Sequence, residues 1–230
     1  MCGRYVLKAT LQELIDTYGA VPDGTFSVEP NYNVAPSHHM PVILNSGSDD
    51  ERIIRLHRWG LVPFWADSVN TGYSMINARG ESLSKKKSFK KPFKSQRCIV
   101  PASGFYEWKK TSSGKYPHFI QRKSSDLMHF AGLWEHWDDP ENDDTVFSYT
   151  IITTDANQPM EELHDRMPAM LLPGEFDTWL NPDFHDLNAL QDLIHPWSDD
   201  DIRFYRVNDE VGNVRNNRPE LIEPYRDLFG

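Results

Sequence analysis

The chain has 230 residues, of which 39% are hydrophobic, 12% aromatic and 25% charged, which excludes fibrous, collagen-like and disordered proteins and indicates one globular domain over residues 1–230. The formal net charge of −10 argues against a uniformly basic nucleic-acid-binding protein. No apolar stretch approaches the roughly 18 to 20 residues of a membrane span, and the N-terminus lacks a signal-peptide core, so we expect a cytoplasmic protein without membrane contact.

The first predicted element is a helix near the N-terminus. Thr10 followed by Glu13 forms a capping box ahead of four apolar residues at helical spacing, and Gly19 can end the helix. Short runs rich in β-branched and aromatic residues then predict strands at residues 40–44, 52–59, 97–100, 118–122, 128–134, 146–153 and 203–207. Helical spacing returns in two segments, at residues 176–180 and 187–194.

This order of elements limits the fold class. Strands and helices do not alternate regularly, which excludes a doubly wound parallel sheet. We therefore expect an α+β fold, a single domain with a mixed, largely antiparallel β core, barrel-like or made of two packed sheets, flanked by a few helices.

The charge is unevenly distributed along the chain. Residues 1–125 carry a net charge of +8 and residues 126–230 a net charge of −18, while residues 52–123 alone carry +13. The densest basic segment contains Lys85, Lys86, Lys90 and three further lysines, interleaved with Phe89 and Phe93. Lysines with aromatic neighbours suit a phosphate backbone with bases stacked alongside. A solvated lysine-rich loop is the alternative interpretation.

The second residue has chemistry that no internal cysteine offers. Initiator methionine is usually removed before a small residue, which would leave Cys2 with a free α-amine beside its thiol. Such a 1,2-aminothiol attacks an aldehyde through nitrogen to form an imine, and its sulfur then closes a thiazolidine ring. The thiol could instead be the nucleophile of an amide-cleaving enzyme with the amine as its base. A buried structural cysteine is the third possibility. The two cysteines, Cys2 and Cys98, match no disulfide framework or zinc spacing, and the histidines show no ligand spacing, so we expect no metal and no cofactor.

Four other polar residues are candidates for a site. Glu107 lies among aromatic residues, which suits a carboxyl group to general acid-base catalysis, although a water-facing glutamate would look the same. His164 precedes an Arg-x-Pro turn, and a lone histidine is more often structural than catalytic. Asn77 and Arg79 follow an apolar run and could bind an anion or cap a turn.

Seven motifs in these regions resemble one protein family. They lie at residues 1–5, 32–36, 59–65, 76–79 with Glu81, 104–108, 163–168 and 211–214, in family order over nearly the whole chain. Together they resemble the SOS-response-associated peptidase (SRAP) family, whose members crosslink to abasic sites in single-stranded DNA. The resemblance implies that the protein is an abasic-site sensor and shield, a monomer without a metal, whose partners are single-stranded DNA containing abasic sites and single-strand to double-strand junctions.

The same resemblance implies the roles of individual residues. Cys2 matches the nucleophile that forms the thiazolidine with the ring-opened sugar, and Asn77 the residue that positions it. Glu107 and His164 match the residues that transfer protons. The matching DNA-binding residues are Arg4, Asn33, Phe64, Trp65 and Arg79, to which we add Lys85, Lys86, Lys90 and Arg166; Phe64 and Trp65 correspond to a wedge that separates stacked bases.

Two alternative functions remain at this stage. The same Cys2, Glu107 and His164 could form a thiol peptidase, in its mildest form cleaving only its own Met1–Cys2 bond. The basic segment with Trp65 could make the protein a non-covalent single-strand binder. The uneven charge also predicts a positive, aromatic-edged groove leading to Cys2.

Overall fold

Two β-sheets form the framework of the protein in the computed structural model, which describes residues 2–47, 51–124, 126–142 and 144–226. Within these residues the strands are β1 (Arg4–Leu7), β2 (Val21–Pro22), β3 (Asn31–Val34), β4 (His39–Asn45), β5 (Arg52–Trp59), β6 (Asn77–Arg79), β7 (Arg97–Ala102), β8 (Gly104–Thr111), β9 (Gly114–Arg122), β10 (Met128–Asp138), β11 (Thr145–Asp155), β12 (Arg166–Pro168) and β13 (Ile202–Arg206). The helices are α1 (Leu11–Tyr18), α2 (Lys87–Ser95), α3 (Phe176–Leu180) and α4 (Leu187–Asp192).

The first sheet is antiparallel and has the strand order β13-β9-β8-β1-β3. The second has the order β12-β11-β10-β7-β4-β5-β2, with β6 beside β11. Because β5 also pairs in parallel with β11, the strands β11, β10, β7, β4 and β5 close into a five-stranded barrel. The mixed, largely antiparallel core and the α+β fold class are therefore confirmed.

Aromatic side chains join the two sheets. Tyr5 of β1 packs edge-to-face against Trp59 of β5 and Phe130 of β10, with ring centroids 5.2 and 6.4 Å apart. Phe105 of β8 contacts the same Phe130 ring at 5.9 Å. Full burial of such side chains contributes roughly 1.5–3 kcal/mol each, so these contacts hold the first sheet against the barrel.

The predicted helix α1 is confirmed in detail. The Glu13 backbone N–H donates to the Thr10 hydroxyl oxygen, the Thr10 backbone N–H donates to the Glu13 carboxylate, and Gly19 ends the helix in the left-handed conformation with φ of 57°. The helices α3 and α4 lie in the two predicted C-terminal segments, although α4 ends at Asp192, before the last two apolar residues of its predicted run. All seven predicted strand segments contain strands, most of them one or more residues longer than predicted.

Helix α2 was not predicted. It carries four lysines and Pro92, which lacks the amide proton an interior helical residue donates. The helix forms because Phe89 and Phe93 bury their rings in the core on one face, where Phe93 contacts Trp179 with centroids 6.4 Å apart. No helix in the described part of the chain has the length and apolar character needed to cross a membrane.

Strand β11 aligns two short segments from distant parts of the sequence. Thr153 of β11 pairs with Arg79 of β6 and with Pro168 of β12. The segments containing Asn77 and Arg166 are thereby brought together, and His164 lies just before β12.

Candidate functional site

Cys2 lies two residues before the first residue of β1 and is 1% exposed. Its thiol donates a long hydrogen bond to the backbone oxygen of Arg4, with a sulfur to oxygen distance of 3.6 Å. Burial raises the pKa of the Cys2 thiol well above its usual range, and the nearby Glu107 carboxylate raises it further. Since the thiolate is the reactive form, this thiol is a weak nucleophile in the environment that the structure gives it.

The pairing of β1 with β8 explains why Cys2 is near Glu107. Arg4 lies opposite Tyr106 in this antiparallel pair, so continuing the register by one residue brings Gly3 opposite Glu107. The sheet thus joins two residues that are far apart in sequence.

Asn77 fixes the backbone of Cys2. Its side-chain nitrogen donates to the Cys2 carbonyl oxygen at 2.8 Å, and the parallel pairing of β6 with β11 places Asn77 opposite Ile151. The Asn77 Oδ1 atom is buried and makes no hydrogen bond with any described residue. A buried acceptor without a partner is uncommon in proteins, and a donor supplied by a substrate or by a free amine would satisfy it.

Glu107 and His164 line one cleft. It has a volume of about 610 Å³, and the other lining residues are Trp108, Lys110, Lys115, Leu163 and Asp165. Glu107 is 7% exposed, and its Oε1 accepts a hydrogen bond from the Trp108 backbone at 3.3 Å. The structure therefore brings together the carboxyl group and the imidazole that the sequence suggested for proton transfer.

The hydrogen bonds of His164 define its proton-bearing nitrogen. The Arg166 backbone N–H donates to His164 Nδ1 at 3.0 Å. Asp165 Oδ1 lies 2.7 Å from the same nitrogen, but its side chain is 86% exposed and can rotate, whereas the backbone donor cannot. Nδ1 is therefore the acceptor, and the neutral ring carries its proton on Nε2.

A second cleft of about 550 Å³ adjoins the first and shares Lys110, His164 and Asp165 with it. Arg79 is exposed along this cleft, as expected of a phosphate contact. Arg166 differs: its side chain is 11% exposed and donates to Glu81 at 2.8 Å and to Asp155 at 2.6 Å. The DNA contact expected of Arg166 does not fit this position, because two carboxylates already pair with its charge.

Arg4 and Asn33 bind each other and a loop. Arg4 donates to Asn33 Oδ1 at 2.7 Å and to the backbone oxygens of Val211 and Gly212. Asn33 is 1% exposed and donates to three backbone oxygens between Val211 and Asn216. Direct contact between Asn33 and DNA does not fit this burial; Asn33 holds the loop of residues 211–216, which in turn orients Arg4.

The clefts are balanced in charge and do not form the positive groove that we expected. Their basic lining residues are Arg79, Lys110, Lys115 and Arg166, and the acidic ones are Glu81, Glu107, Asp155 and Asp165. Asp155 and Asp165 belong to the acidic half of the chain, which folds back onto the basic half here.

The predicted wedge residues lie on the surface beside α2. Phe64 is 53% exposed and Trp65 38% exposed. Lys91 lies over the Phe64 ring at 5.1 Å from its centroid, and Lys87 lies over the Trp65 ring at 4.7 Å. Sequence analysis counted Lys87 and Lys91 in the basic segment but did not pair them with the wedge residues, although their spacing of four residues is the signal that places two side chains on one helix face.

The predicted basic surface is present at α2, but its aromatic residues differ from those expected. Lys85 and Lys86 lie just before the helix, and Lys90 is exposed on it. Phe89 and Phe93, which we expected to stack on bases, are 4% and 1% exposed and belong to the core. The exposed aromatic rings beside these lysines are Phe64 and Trp65.

In the described residues no group of three or more potential metal ligands is present.

Comparison with known proteins places the chain in a family. The family model described as SOS response associated peptidase (SRAP) matches residues 1–214. The chain belongs to this family. It is 45% identical over 229 residues to abasic site processing protein YoqW of Bacillus subtilis, an alignment that covers 98% of this chain and 100% of that protein. The abasic site processing protein HMCES of Xenopus tropicalis is 35% identical, with 84% of this chain and 66% of that protein covered.

A solved structure supports the fold assignment of this SRAP family member. A crystal structure of a Bacteroides thetaiotaomicron protein matches with a TM-score of 0.86 and 25% identity, covering 98% of this chain and 100% of that one. The resemblance inferred from the seven motifs is confirmed.

Proposed function

We propose that this protein processes abasic sites in DNA and that it does so by forming a covalent thiazolidine with the lesion through Cys2 after Met1 is removed. Membership of the SRAP family and the names of its relatives support the first part. The observation that carries the second is the hydrogen bond that holds the Cys2 carbonyl to Asn77, close to Glu107 and to the cleft that it shares with His164.

The α-amine is the group that reacts first in this proposal. Burial and Glu107 keep the Cys2 sulfur protonated, whereas a free α-amine has a pKa of about 7.7 to 8.0 and is partly neutral at physiological pH. The amine therefore adds to the aldehyde carbon of the ring-opened sugar. The resulting carbinolamine loses one water to give an imine.

Ring closure follows without an oxidant or reductant. The Cys2 sulfur adds to the imine carbon, and the thiol proton passes to the imine nitrogen. One carbon–sulfur bond and one carbon–nitrogen bond replace the carbonyl, and one water leaves overall. The high pKa of the thiol does not prevent this step, because sulfur attack and proton transfer occur within one residue.

Glu107 and His164 are suited to the proton transfers around these steps. Glu107 supplies an acid or base beside Cys2 for opening the sugar ring and for loss of water. His164 presents a proton on Nε2 when neutral, so it can donate to the sugar oxygen without carrying a charge. Asn77 holds the Cys2 backbone, and its free Oδ1 is an acceptor for the amine protons.

Incubation with an oligonucleotide that contains one abasic site tests the proposal. We expect a denaturant-resistant complex whose intact mass equals the sum of protein and DNA less one water, with the protein lacking Met1. The variant Cys2→Ala keeps a free amine but has no sulfur, so it should give only an imine that is lost on denaturation. A stable complex with Cys2→Ala would refute the thiazolidine.

A peptidase function has weaker support. The family description contains that activity, but a thiol that is 1% exposed with a raised pKa is poorly placed to attack a separate peptide. Removal of its own Met1 is the form of this activity compatible with the site. Purification of Cys2→Ser, Glu107→Gln and wild type from the same host distinguishes self-removal, which the variants would impair, from removal by the host.

A further inference from the structure

A cleft at the end of strand β1 that lies away from Cys2 has no part in the proposed chemistry. Its volume is about 690 Å³, and its lining includes Lys8, Glu13, Ser103, Arg122, Asp126 and His129. Lys8 directly follows β1, whereas Cys2 lies two residues before it, so six extended residues, or roughly 20 Å, separate the two. We call this cavity the Lys8 cleft.

Strand pairing places Ser103 and His129 on the same face of the second sheet. His129 of β10 lies opposite Pro101 of β7. Ser103 is two residues beyond Pro101, so it shares that face and is a diagonal neighbour of His129. Both residues line the Lys8 cleft, and they are only 5% and 6% exposed. Two nearly buried polar side chains thus belong to one wall of the cleft.

The hydroxyl group of Ser103 keeps its proton available. The backbone N–H of Lys8 donates to Ser103 Oγ at 2.9 Å, and the backbone N–H of Ser103 donates to the Val6 oxygen at 2.7 Å. These two bonds fix Ser103 beside β1 and use its side-chain oxygen only as an acceptor. Because Ser103 Oγ donates to no described residue, its proton can be donated to a ligand.

Tyr18 determines which nitrogen of His129 carries the proton. The Tyr18 hydroxyl lies 2.7 Å from His129 Nδ1, its side-chain partner among the described residues, and Tyr18 is fully buried. If Nδ1 carried the proton, the Tyr18 hydroxyl proton would be buried without an acceptor, which is unfavourable. The hydroxyl therefore donates to Nδ1, and Nε2 carries the proton of the neutral ring. Burial lowers the pKa of His129 to about 4, so the ring is neutral near pH 7.

Lys8 supplies a third donor, and its charge is not balanced within the described residues. The side chain is half-buried, and no described carboxylate pairs with it. Arg122, in contrast, donates to Asp201 at 2.7 Å and lies 3.6 Å from Asp126. Glu13 is engaged in the capping box of α1. Each charged lining residue other than Lys8 therefore has a partner already.

We propose that the Lys8 cleft binds a small organic carboxylate. The carboxylate accepts hydrogen bonds from the Lys8 ammonium group, the Ser103 hydroxyl and His129 Nε2–H. Two carboxylate oxygens offer about four lone-pair sites, which is enough for three donors. The site goes beyond the proposed function and is independent of the Cys2 chemistry.

The remaining lining of the cleft limits the ligand further. Ala9 and Leu127 provide an apolar surface for a short hydrocarbon chain, and a cavity of about 690 Å³ has room for a molecule of that kind. A phosphate dianion fits less well, because the carboxylates of Glu13 and Asp126 also line the cleft and would repel its second negative charge. We therefore expect a carboxylate with one negative charge and an aliphatic body.

Titration with hexanoate, followed by long-range proton–nitrogen spectra of the histidine rings, tests the site. The ring signals of His129 are those that are absent in His129→Gln. We expect hexanoate to shift the Nε2–H signal with a Kd in the millimolar range, as expected of so small a ligand. Hexanamide, which has the same shape without the charge, should bind roughly tenfold more weakly. Equal binding of the amide, tighter binding of inorganic phosphate, or no shift with hexanoate would refute the proposal.

Variants of the donors identify the groups that bind. Lys8→Gln removes the charge at a half-buried position and should weaken hexanoate binding roughly tenfold. Ser103→Ala should weaken it roughly fivefold, although it also leaves the Lys8 backbone N–H without its acceptor. The matched control Lys85→Gln removes an exposed charge outside the cleft and should change the affinity by less than about twofold. Wild-type affinity in Lys8→Gln, or an equal loss in Lys85→Gln, would contradict the site.

The positioning role of Tyr18 is tested by the tautomer of His129. Wild type should carry the proton on Nε2, whereas Tyr18→Phe removes the hydroxyl and should allow both tautomers. Hexanoate should return the variant to the Nε2 tautomer, because it binds that form preferentially. A proton on Nδ1 in wild type, or a mixture that hexanoate does not change, would refute the donor role of His129. A variant that keeps the wild-type tautomer would show that Tyr18 does not position the proton.

Discussion

A buried histidine in strand β5 should make the stability of the protein depend on pH. His57 is fully buried, and both of its ring nitrogens lack well-formed hydrogen bonds to described residues. Its ring packs against Trp134 and Phe147, with centroids 5.8 and 5.5 Å away. Burial, assisted by the positive charge of Arg55, lowers the pKa of His57 to about 3.

The sign and the size of the effect follow from linkage. Between pH 6.5 and pH 3 the unfolded chain binds a proton at this position and the folded chain does not, so stability is full above pH 6.5 and falls as the pH falls. With an unfolded pKa of about 6.5, the free energy of unfolding should lose about 2.5 kcal/mol between pH 7.5 and pH 4.5 from His57 alone. The free energy of unfolding changes by at most about 1.4 kcal/mol per pH unit through this one group.

The variant His57→Phe isolates this contribution because it retains an aromatic ring in an aromatic environment. Urea unfolding at pH 7.5, 6.5, 5.5 and 4.5 should show a shallower fall in the variant, by about 2.5 kcal/mol over the range. Burial also lowers the pKa of His129 to about 4. The resulting loss of stability at low pH is the same in the variant and in wild type. The control His185→Phe, at an exposed position, should keep the wild-type profile. If His57→Phe loses stability as steeply as wild type, the assignment to His57 is wrong.

Four further predictions concern the site and the turn that follows β5. Asn77→Ala should slow covalent capture about tenfold at unchanged lesion-free affinity, since one hydrogen bond of roughly 1 kcal/mol and the position of Cys2 are lost; a wild-type rate in quenched time courses would contradict this. The rate of capture by wild type should rise from pH 6.5 to 8.5 with the α-amine and then level off, because the thiol pKa is far higher; a further rise above pH 9 would indicate thiolate attack. Glu107→Gln removes a charge that raises the Cys2 pKa, so alkylation of Cys2, followed by mass spectrometry, should begin at lower pH than in wild type. Gly60→Ala should destabilise the protein by about 2 to 4 kcal/mol in urea, because φ is 108° and the added carbon would lie 2.5 Å from the Gly72 oxygen; stability within about 0.5 kcal/mol of wild type would show that the backbone relaxes.

Sequence patterns predicted correctly those elements that are stabilised by their own residues. Helix α1 has its own cap and its own apolar stripe, so its residues specify it without help from the rest of the chain. Strand β8 was missed although it has eight residues, whereas β1, β2, β3, β6 and β12 were missed because each has only two to four residues, too few for an alternating pattern. They exist because distant partners provide their hydrogen bonds, as Ile151 does for Asn77.

Helix α2 shows a different kind of error, in which side chains were assigned the wrong role. Its charge was read correctly as a basic surface, but the aromatic residues within it were assigned to the ligand when they belong to the core. Periodicity could have revealed this, since Phe89 and Phe93 are four residues apart and four of the other positions of the helix are lysines. Pro92 weakened that signal, because proline inside a helix is unfavourable unless tertiary packing compensates.

Residue chemistry singled out the site residues as candidates, and the family resemblance supplied their roles in one site, which spacing along the chain could not have done. Cys2, Asn77, Glu107 and His164 are separated by 30 to 75 positions, and only the pairing of β1 with β8 and of β6 and β12 with β11 brings them together. Arg166, which was added for its charge, shows the limit of the sequence, because its two carboxylate partners are not apparent there.

The two clefts near Cys2 contain as many carboxylates as basic side chains, and this balance bears on the pKa of the amine that is proposed to react. An amine that must attack while neutral is helped by nearby cations, which lower its pKa, and hindered by nearby carboxylates, which raise it. A strongly positive groove would favour the neutral amine but would also hold any stretch of DNA tightly, with or without a lesion. A cleft lined by equal numbers of basic and acidic residues provides neither effect strongly, and the exposed lysines of α2 lie on a separate surface. The net charge of −10 therefore conceals an uneven distribution, in which the acidic half of the chain contributes Asp155 and Asp165 to the clefts beside His164 while the exposed lysines of α2 lie elsewhere.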